Sequence, residues 1–414
     1  PPRSTLFPYT TLFRSDQVPG HGGPAGLMPY LEAAAARGVV FDDLIAAAPW
    51  TRAASTAILT GFHAVSVGMV EPGPGRDQRK LPARVRTLAE RMKEQGYVTV
   101  GGTANPNLSS DFGFDQGFDL YQPGMKAGWS HMASAEVVDA MVGGVRQARA
   151  KWPERPVYLR VMLIETHAPR TALAEEYAVF QAEGVPERVI QYRAHLRRLD
   201  EAMARLEAGL AAEGLDPANT LYVFVGDHGE GMNYPRHHGF SHGQYHASST
   251  NHVPWVLWGP GVAAGHRVLG VASQVDVVPT LLGVIGRPLG EGEVEGRDHA
   301  GLVRGEGFAT SWDAVVSDTW FQESSRAAIW TPGRQCQQDF GSEARQVEKG
   351  LFKPGCFDRR ADPLFTRPIE EEALMGRLTS WRAEKTAALA GVQAERVEVG
   401  EELGRQLEAL GYRE

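Results

Sequence analysis

The chain has 414 residues, of which 43% are hydrophobic and 22% are charged, the composition of an ordinary globular protein. Its formal net charge of -8 provides no basic surface for nucleic acid or anionic lipid, so we expect no nucleic-acid partner. No stretch of the sequence is apolar over enough residues to span a bilayer. The length suits one large domain, or a large domain with a smaller one beside it.

The segment Thr5–Ser15, TLFPYTTLFRS, resembles the in-frame translation of a common sequencing-library adapter. We therefore treat residues 1–15 as an artefact, because such segments must be set aside before the fold is considered. A natural strand rich in Thr and Phe is the alternative. On our interpretation the native sequence begins near Asp16. The compartment then stays open, with a periplasmic or secreted location slightly favoured.

Two helices are predicted early in the chain. GLMPYLEAAAARG at 26–38 predicts a short helix, and an apolar run begins at Val39. After a Pro-Trp turn, RAASTAIL at 52–59 predicts a second helix, whose N-terminus presents Thr51.

Buried strands and amphipathic helices then alternate. VYLRVMLI at 157–164 is typical of a strand buried on both faces. Helical spacing over 192–210 precedes two further apolar runs, 220–225 and 253–258. This order predicts an α/β fold, with a mostly parallel central sheet flanked by helices. In such sheets ligands bind beyond the carboxyl ends of the strands.

The character of the chain changes after about Gly305, where short strand-like pieces precede a helical tail. We predict a main domain over 16–305 and a smaller C-terminal α+β subdomain over 306–414. The two cysteines, Cys336 and Cys356, either form a disulfide, which would imply an oxidising compartment, or are two unrelated thiols. They do not form a metal motif.

The first candidate site is GDHGE at 226–230, directly after a predicted strand. Asp227 and His228 can face one cation there, and an oxygen with an imidazole nitrogen suits Zn or Mn better than Ca. A capping Asp and a surface His in a loop are the alternative. Thr51 is the second candidate, because a helix N-terminus favours an anion and a metal can activate a hydroxyl. A plain N-cap threonine is the alternative.

Five histidines lie close together just downstream of the Asp-His pair: His237, His238, His242, His246 and His252. Neutral imidazoles can bind metal, and protonated ones can bind an anion or protonate a leaving group. A solvated loop is the alternative, above all for His237, His246 and His252.

Together these segments resemble the sulfatase branch of the alkaline phosphatase superfamily, from about Asp16 to Glu414. Several motifs carry the resemblance, in the order and spacing that the family shows: RGVVFDDLIAAAPWT at 37–51, TAILTGF at 56–62, NPNLSSDFGFDQGFD at 105–119, ETHAP at 165–169, GDHGE at 226–230, SHG at 241–243, VPWVLWGPGV at 253–262 and DVVPTLL at 276–282. The family implies an alkaline phosphatase-like fold.

The resemblance also implies roles for individual residues. Asp227 and His228 match the metal-binding pair, for one divalent cation, Zn, Mn or Ca, with Zn or Mn favoured. Thr51 matches the nucleophile. His167 and His242 match histidines that hold the oxygens of the ester or protonate its leaving group.

Asn105 matches, more weakly, a polar contact to the same ester oxygens. The chain departs from sulfatases proper at the nucleophile, where the family needs Cys or Ser, with Pro and Arg at fixed offsets. Here those positions hold Thr51, Ala53 and Ser55. Because oxidation of threonine would yield a ketone, we expect no formylglycine.

The second departure concerns the family's first strand, which ends in acidic metal ligands and is expected where residues 1–15 stand. We therefore predict that this strand is missing and that the chain is an impaired enzyme. The predicted function is metal-dependent hydrolysis of sulfate or phosphate esters, of a small molecule or a glycan, with phosphate mono- or diesters favoured by Thr51. The alternatives are transfer of a phospho-alcohol group and a non-catalytic binding role on the same scaffold.

Overall fold

The computed structural model describes most of the chain, with the backbone alone over 4–10. The residues described are 4–10, 14–18, 22–70, 78–123, 134–181, 184–232, 242–321, 324–341, 352–392 and 394–409. Within these ranges, no helix is both long enough and apolar enough to cross a membrane.

An eight-stranded sheet forms the centre of the molecule. Its strands are β1 (Ser4–Thr10), β2 (Val39–Ile45), β3 (Val98–Thr103), β4 (Leu120–Pro123), β5 (Val157–Leu163), β6 (Thr220–Gly226), β7 (His252–Trp258) and β8 (His266–Ser273). Their spatial order is β4-β3-β5-β1-β6-β7-β2-β8. β7 runs antiparallel to both of its neighbours, and the other pairings are parallel. The predicted α/β class with a mostly parallel sheet is confirmed.

Helices pack around the sheets. Within the described residues they are α1 (Pro29–Ala36), α2 (Thr51–Thr60), α3 (Ala64–Val67), α4 (Leu88–Glu94), α5 (Ser134–Lys151), α6 (Ala174–Gln181), α7 (Glu187–Ala212), α8 (Ser248–Asn251), α9 (Val277–Val284), α10 (Ala300–Val303), α11 (Glu372–Leu389) and α12 (Glu401–Ala409). Every residue of β5 and β6 is buried, as their continuous apolar sequences predict.

A second sheet forms the C-terminal subdomain. Its antiparallel strands are β9 (Val315–Phe321), β10 (Ser324–Trp330), β11 (Arg334–Asp339) and β12 (Gly355–Asp358). α11 packs against β10 and β11. Cys336 and Cys356 lie directly opposite each other on β11 and β12 and form a disulfide, so the pairing left open by the sequence is resolved. The predicted α+β subdomain is present, while its boundary at 305/306 stays a prediction.

The place of the first strand in the sheet is filled. β1 lies between β5 and β6, with Thr10 opposite Leu163 and Gly226. Residues 4–10 therefore occupy this place in the sheet, while the absence of the family's own first strand stays a prediction. The physical reason is that neighbouring parallel strands bond to main-chain groups, which any sequence without many prolines supplies. Residues 1–15 nevertheless contain no Asp or Glu, so β1 brings no acidic side chain to the edge where Gly226 ends β6.

Candidate active site

The two main segments of the site meet at the carboxyl edge of the large sheet. β6 ends at Gly226 and is followed at once by Asp227 and His228, and the loop after β2 leads into α2, which begins at Thr51. Asp227, His228 and Thr51 are all fully buried. The N-terminus of α2 and the carboxyl end of β6 therefore bring a hydroxyl, a carboxylate and an imidazole next to one another.

Thr51 contacts His228 directly, with Oγ1 3.1 Å from Nε2. The other ring nitrogen of His228, Nδ1, lies 2.9 Å from the carbonyl oxygen of Gly229. Because a carbonyl can only accept, Nδ1 carries the proton and Nε2 keeps its lone pair. Burial lowers the pKa of His228 well below its ordinary value, so the ring is neutral.

Asp227, like Thr51, lies near Nε2 of the His228 ring. Its Oδ1 accepts the main-chain N–H of His228 at 2.7 Å, and its Oδ2 lies 3.4 Å from His228 Nε2. A carboxylate oxygen and an unprotonated imidazole nitrogen are ligand types that suit a divalent cation. The described part of the chain holds no group of three or more His, Cys, Asp and Glu residues arranged for a metal ion. Asp227 and His228 thus fit a cation by residue type and could supply two of its ligands.

Gly229 allows this loop to pass close to its neighbour. Its N–H donates to the carbonyl of Thr250 at 2.8 Å, and a Cβ built on it would lie 1.8 Å from the carbonyl oxygen of Ser249. No side chain fits at that distance. The close approach of the backbone therefore requires glycine at position 229, the second glycine of the GDHGE motif.

His242 packs against the same ring, with its centroid 4.5 Å from that of His228. Its Nδ1 lies 3.4 Å from Glu230 Oε1, and Glu230 Oε2 pairs with Arg170 at 3.2 Å. Burial alone would raise the pKa of Glu230, but His242 and Arg170 outweigh it and hold that pKa below its ordinary value. Glu230 is therefore an anion that orients His242.

His167 completes the histidine side of the site, with its ring centroid 6.0 Å from that of His242. Its Nδ1 lies 2.7 Å from the carbonyl oxygen of Ala168, to which it must donate. Burial, with a smaller effect from His242, lowers the pKa of His167 to about 3. Neutral His167 therefore presents Nε2 as an acceptor, and it can donate to an ester oxygen only as imidazolium.

Asn105 joins the site through a short chain of polar contacts. The guanidinium of Arg52, the residue after Thr51, donates to Asn107 Oδ1 at 2.9 Å. Asn107 in turn donates to Asn105 Oδ1 from its main chain at 3.0 Å and from its side chain at 3.2 Å. Asn105 is fully buried, and its Nδ2 has no hydrogen-bond acceptor among the described residues. A buried donor of this kind is suited to an oxygen of a bound ligand.

The remaining histidines of the predicted cluster lie elsewhere. His246 bonds to Ser317 of β9 at 2.8 Å, and His252 bonds to the carbonyl of Asp42 at 2.9 Å. These contacts hold the two rings against β9 and β2. His246 is buried, so the solvated-loop alternative does not describe it. His237 and His238 lie outside the described residues.

Three contributors to the site were not predicted: Arg170, Glu230 and Gln274. Glu230 belongs to the GDHGE motif, and its charge was the signal that could have identified it. Arg170 and Gln274 lie 60 and 47 residues from their partners Glu230 and Asp227. No local pattern marks them, because only the tertiary fold brings them there.

The fold and this site define an α/β protein with a buried hydroxyl beside two candidate metal ligands. The family model named Sulfatase matches residues 13–287. The chain therefore belongs to the sulfatase family, and the predicted resemblance is confirmed.

Curated relatives match over a short stretch. Arylsulfatase K of Canis lupus familiaris is 39% identical over 72 residues, which is 17% of this chain and 13% of that protein. Arylsulfatase K of Homo sapiens is 41% identical over 71 residues, 17% of this chain and 12% of that protein. The chain thus aligns with only a small share of these relatives.

Solved structures match over nearly the whole chain. Ps i-CgsB in complex with k-i-k-neocarrahexaose has a TM-score of 0.72 at 16% identity, and the match covers 99% of this chain and 97% of that protein's chain. A protein in complex with its substrate D-glucosamine-2-N,6-O-disulfate has a TM-score of 0.74 at 14% identity, covering 94% and 99%. A 2-O GAG sulfatase has a TM-score of 0.70 at 16% identity, covering 96% and 95%. At these identities the likeness establishes the fold.

Proposed function

We propose that the chain is a hydrolase of sulfate or phosphate esters that uses Thr51 as its nucleophile. The observation that carries the proposal is the 3.1 Å contact between Thr51 Oγ1 and the unprotonated Nε2 of His228. The contact puts the hydroxyl beside the nitrogen that would hold a cation, and a cation there could activate it. Thr51 is the first residue of α2, and Trp50 takes the N-cap position. Membership of the sulfatase family supports the same class of reaction.

Asp227 and His228 would hold one divalent cation, through carboxylate oxygen and Nε2. That donor pair favours Zn or Mn over Ca. When bound, the cation would lower the pKa of the hydroxyl beside it and neutralise charge on the ester oxygens.

Thr51 would then react as the alkoxide, its proton having been released to solvent. A bond forms between Thr51 Oγ1 and phosphorus as the bond from phosphorus to the leaving oxygen breaks. His242 would protonate that oxygen, since Glu230 lies beside its Nδ1 and its ring is more exposed than that of His167. Water then cleaves the bond to Thr51, which returns the free hydroxyl.

Asn105 and His167 would hold the non-bridging oxygens. The Nδ2 group of Asn105 is a ready donor, since its Oδ1 is already occupied by Asn107. His167 would contribute a hydrogen bond after taking up a proton, which an anionic ester beside it makes easier. Both side chains lose little entropy on binding, because each is already fixed by its neighbours.

The choice between sulfate and phosphate rests on Thr51. A threonine cannot become the aldehyde of formylglycine, so we infer an unmodified nucleophile and favour phosphate mono- or diesters. Two fold relatives were solved with k-i-k-neocarrahexaose and with D-glucosamine-2-N,6-O-disulfate, which supports a sugar ester as the substrate class. A sulfated or phosphorylated glycan is therefore a candidate substrate, as are small esters.

The test compares Thr51→Ala and Thr51→Ser on p-nitrophenyl phosphate, bis-p-nitrophenyl phosphate and p-nitrophenyl sulfate with added Mn²⁺ or Zn²⁺. We expect Thr51→Ala to abolish turnover and Thr51→Ser to retain part of it, since serine keeps the hydroxyl. Mass spectrometry of a quenched reaction should find a phosphorylated peptide that contains Thr51. Unchanged turnover by Thr51→Ala would refute the assignment.

A weaker enzyme, or a binding protein on the same scaffold, is the second candidate. The observation that favours it is β1, which ends beside Gly226 without any acidic residue. Two ligands hold a divalent cation poorly, so we expect weak metal binding and slow turnover from this chain. A normal turnover rate would contradict this argument.

A further inference from the structure

The side chain of Gln274 is fully buried in the short 3-10 helix Gln274–Asp276 that follows β8. Its amide bonds to both segments of the candidate site. Oε1 accepts the N–H of Ala47 at 2.9 Å. Nε2 donates to the carbonyl of Gly226 at 2.8 Å and to that of Asp227 at 2.5 Å. Both N–H donors and the carbonyl of the amide are thus occupied by main-chain groups.

These partners determine which atom of the Gln274 amide is the oxygen and which is the nitrogen. Two carbonyl oxygens can only accept, and a main-chain N–H can only donate, so the orientation of the amide follows from chemistry. A glutamate at this position would keep the contact with Ala47 and lose both donations. A methionine would fill the space and remove all three hydrogen bonds to these buried main-chain groups. Gln274 alone among these side chains satisfies both segments.

The two segments carry the reactive groups. Ala47 lies in the loop that leads to Thr51, and the carbonyl of Asp227 belongs to the peptide that precedes His228. A second hydrogen bond also fixes this loop, since the carbonyl of Ala47 accepts the N–H of Asp318 at 2.9 Å. Rotation of the peptide before His228 would break the 2.5 Å bond to Gln274 and turn the imidazole away.

We propose that Gln274 is a positioning residue that clamps the Thr51 loop to the Asp227–His228 loop and so sets the contact between Thr51 Oγ1 and His228 Nε2. The inference rests on the proposed function for its catalytic meaning. Groups that orient metal ligands from behind change metal affinity by about 10–100-fold when removed. We expect a loss of that size here, together with a change in the hydrogen bonding of the His228 ring.

The test uses Gln274→Glu and Gln274→Met, with Gln337→Met as the matched control. Gln337 is another buried glutamine that donates to a main-chain carbonyl, that of Lys353 at 2.8 Å, in the C-terminal subdomain. The first readout is the ¹⁵N spectrum of the His228 ring in metal-free protein labelled at histidine. We expect the Nδ1–H tautomer in the wild type and the control, and a mixture of tautomers in both Gln274 variants.

The second readout is Mn²⁺ affinity, measured by electron paramagnetic resonance. We expect it to fall about 10–100-fold in both Gln274 variants and to stay unchanged in Gln337→Met, with kcat falling more than KM changes. Gln274→Glu preserves volume and the Ala47 contact, so it isolates the two donations. Wild-type tautomer and Mn²⁺ affinity in Gln274→Glu would overturn the proposal.

Two further arms keep the outcome decisive. If the wild type neither binds Mn²⁺ nor turns over esters, the proposed function fails, and the tautomer comparison still decides the role of Gln274. If the variants do not fold, hydrogen exchange of the wild-type Ala47 amide replaces them. A slow exchange, in the range of the β6 amides, supports the clamp, and exchange at the rate of exposed loop amides overturns it.

Discussion

Asp43 of β2 and Arg359 of the C-terminal subdomain form a two-pronged ion pair, with distances of 2.6 and 2.7 Å between guanidinium nitrogens and carboxylate oxygens. Both side chains are largely buried. Arg359 also donates to the carbonyl of Thr331. This pair joins the small sheet to the large one beside the strand that leads to Thr51.

Removal of this pair should loosen the junction between the sheets. Because hydrogen bonds to charged groups contribute about 1.5–3 kcal/mol each and a lone buried charge is costly, Arg359→Ala should lower the free energy of unfolding by about 2–4 kcal/mol. The control is Arg377→Ala, which breaks the exposed pair with Asp313 at 2.9 Å. That variant should unfold like the wild type in a urea titration, and equal losses in the two variants would contradict the prediction.

Gly229→Ala should damage the site without removing any functional group. The added Cβ would meet the carbonyl oxygen of Ser249 at 1.8 Å, so the Asp227–His228 loop must shift. We expect turnover to fall by about 100-fold, since misplacement of reacting groups by about 1 Å costs that much. Gly143→Ala is the control, because a Cβ on this residue of α5 meets nothing within 4 Å.

The control should leave turnover unchanged and stabilise the fold by about 0.5–1 kcal/mol, the usual gain for alanine over glycine within a helix. Steady-state kinetics and thermal melts of both variants provide the measurement. Wild-type turnover in Gly229→Ala would show that the loop tolerates displacement.

Glu230 should contribute to stability in a pH-dependent way. Its pKa is lower in the folded protein than the ordinary value of 4.5, so its contribution is fully present above about pH 4.5 and is lost as the pH falls further. Glu230→Gln should therefore be less stable than the wild type at pH 7, and the difference should shrink below pH 4.5. Urea unfolding at pH 3–7 tests this, and a gap that widens toward low pH would contradict it. The same variant should also lower kcat, because His242 loses the anion that orients it.

An acidic residue at the end of β1 should strengthen metal binding. Thr10 is the last residue of β1 and lies opposite Gly226, which directly precedes Asp227. The variant Thr10→Asp should raise Mn²⁺ affinity at least about 10-fold, because carboxylate count largely sets the affinity for divalent cations. The matched control is Thr10→Asn, which has the same shape and no added charge. Equal Mn²⁺ affinities for the two variants would mean that the end of β1 does not contribute to the site.

The sequence by itself determined the α/β class, the buried strands and the pairing of Asp227 with His228. These are local properties, since burial on both faces of a strand leaves a continuous apolar run and a motif directly after β6 inherits the position of its strand end. Thr51 could be placed at a helix N-terminus for the same reason, while its role as nucleophile came from the family resemblance and stays a proposal. The family resemblance then assigned roles to His167, His242 and Asn105.

Only the tertiary structure decided how these segments meet. Arg170 and Gln274 approach Glu230 and Asp227 from distant parts of the chain, and the chain order of the strands does not reveal which loops become neighbours. β1 is a second feature that the sequence does not reveal. Its backbone completes the sheet although its sequence matches no family pattern. Main-chain hydrogen bonding depends little on side-chain identity, so a sheet accepts a strand whose sequence gives no reason to expect it.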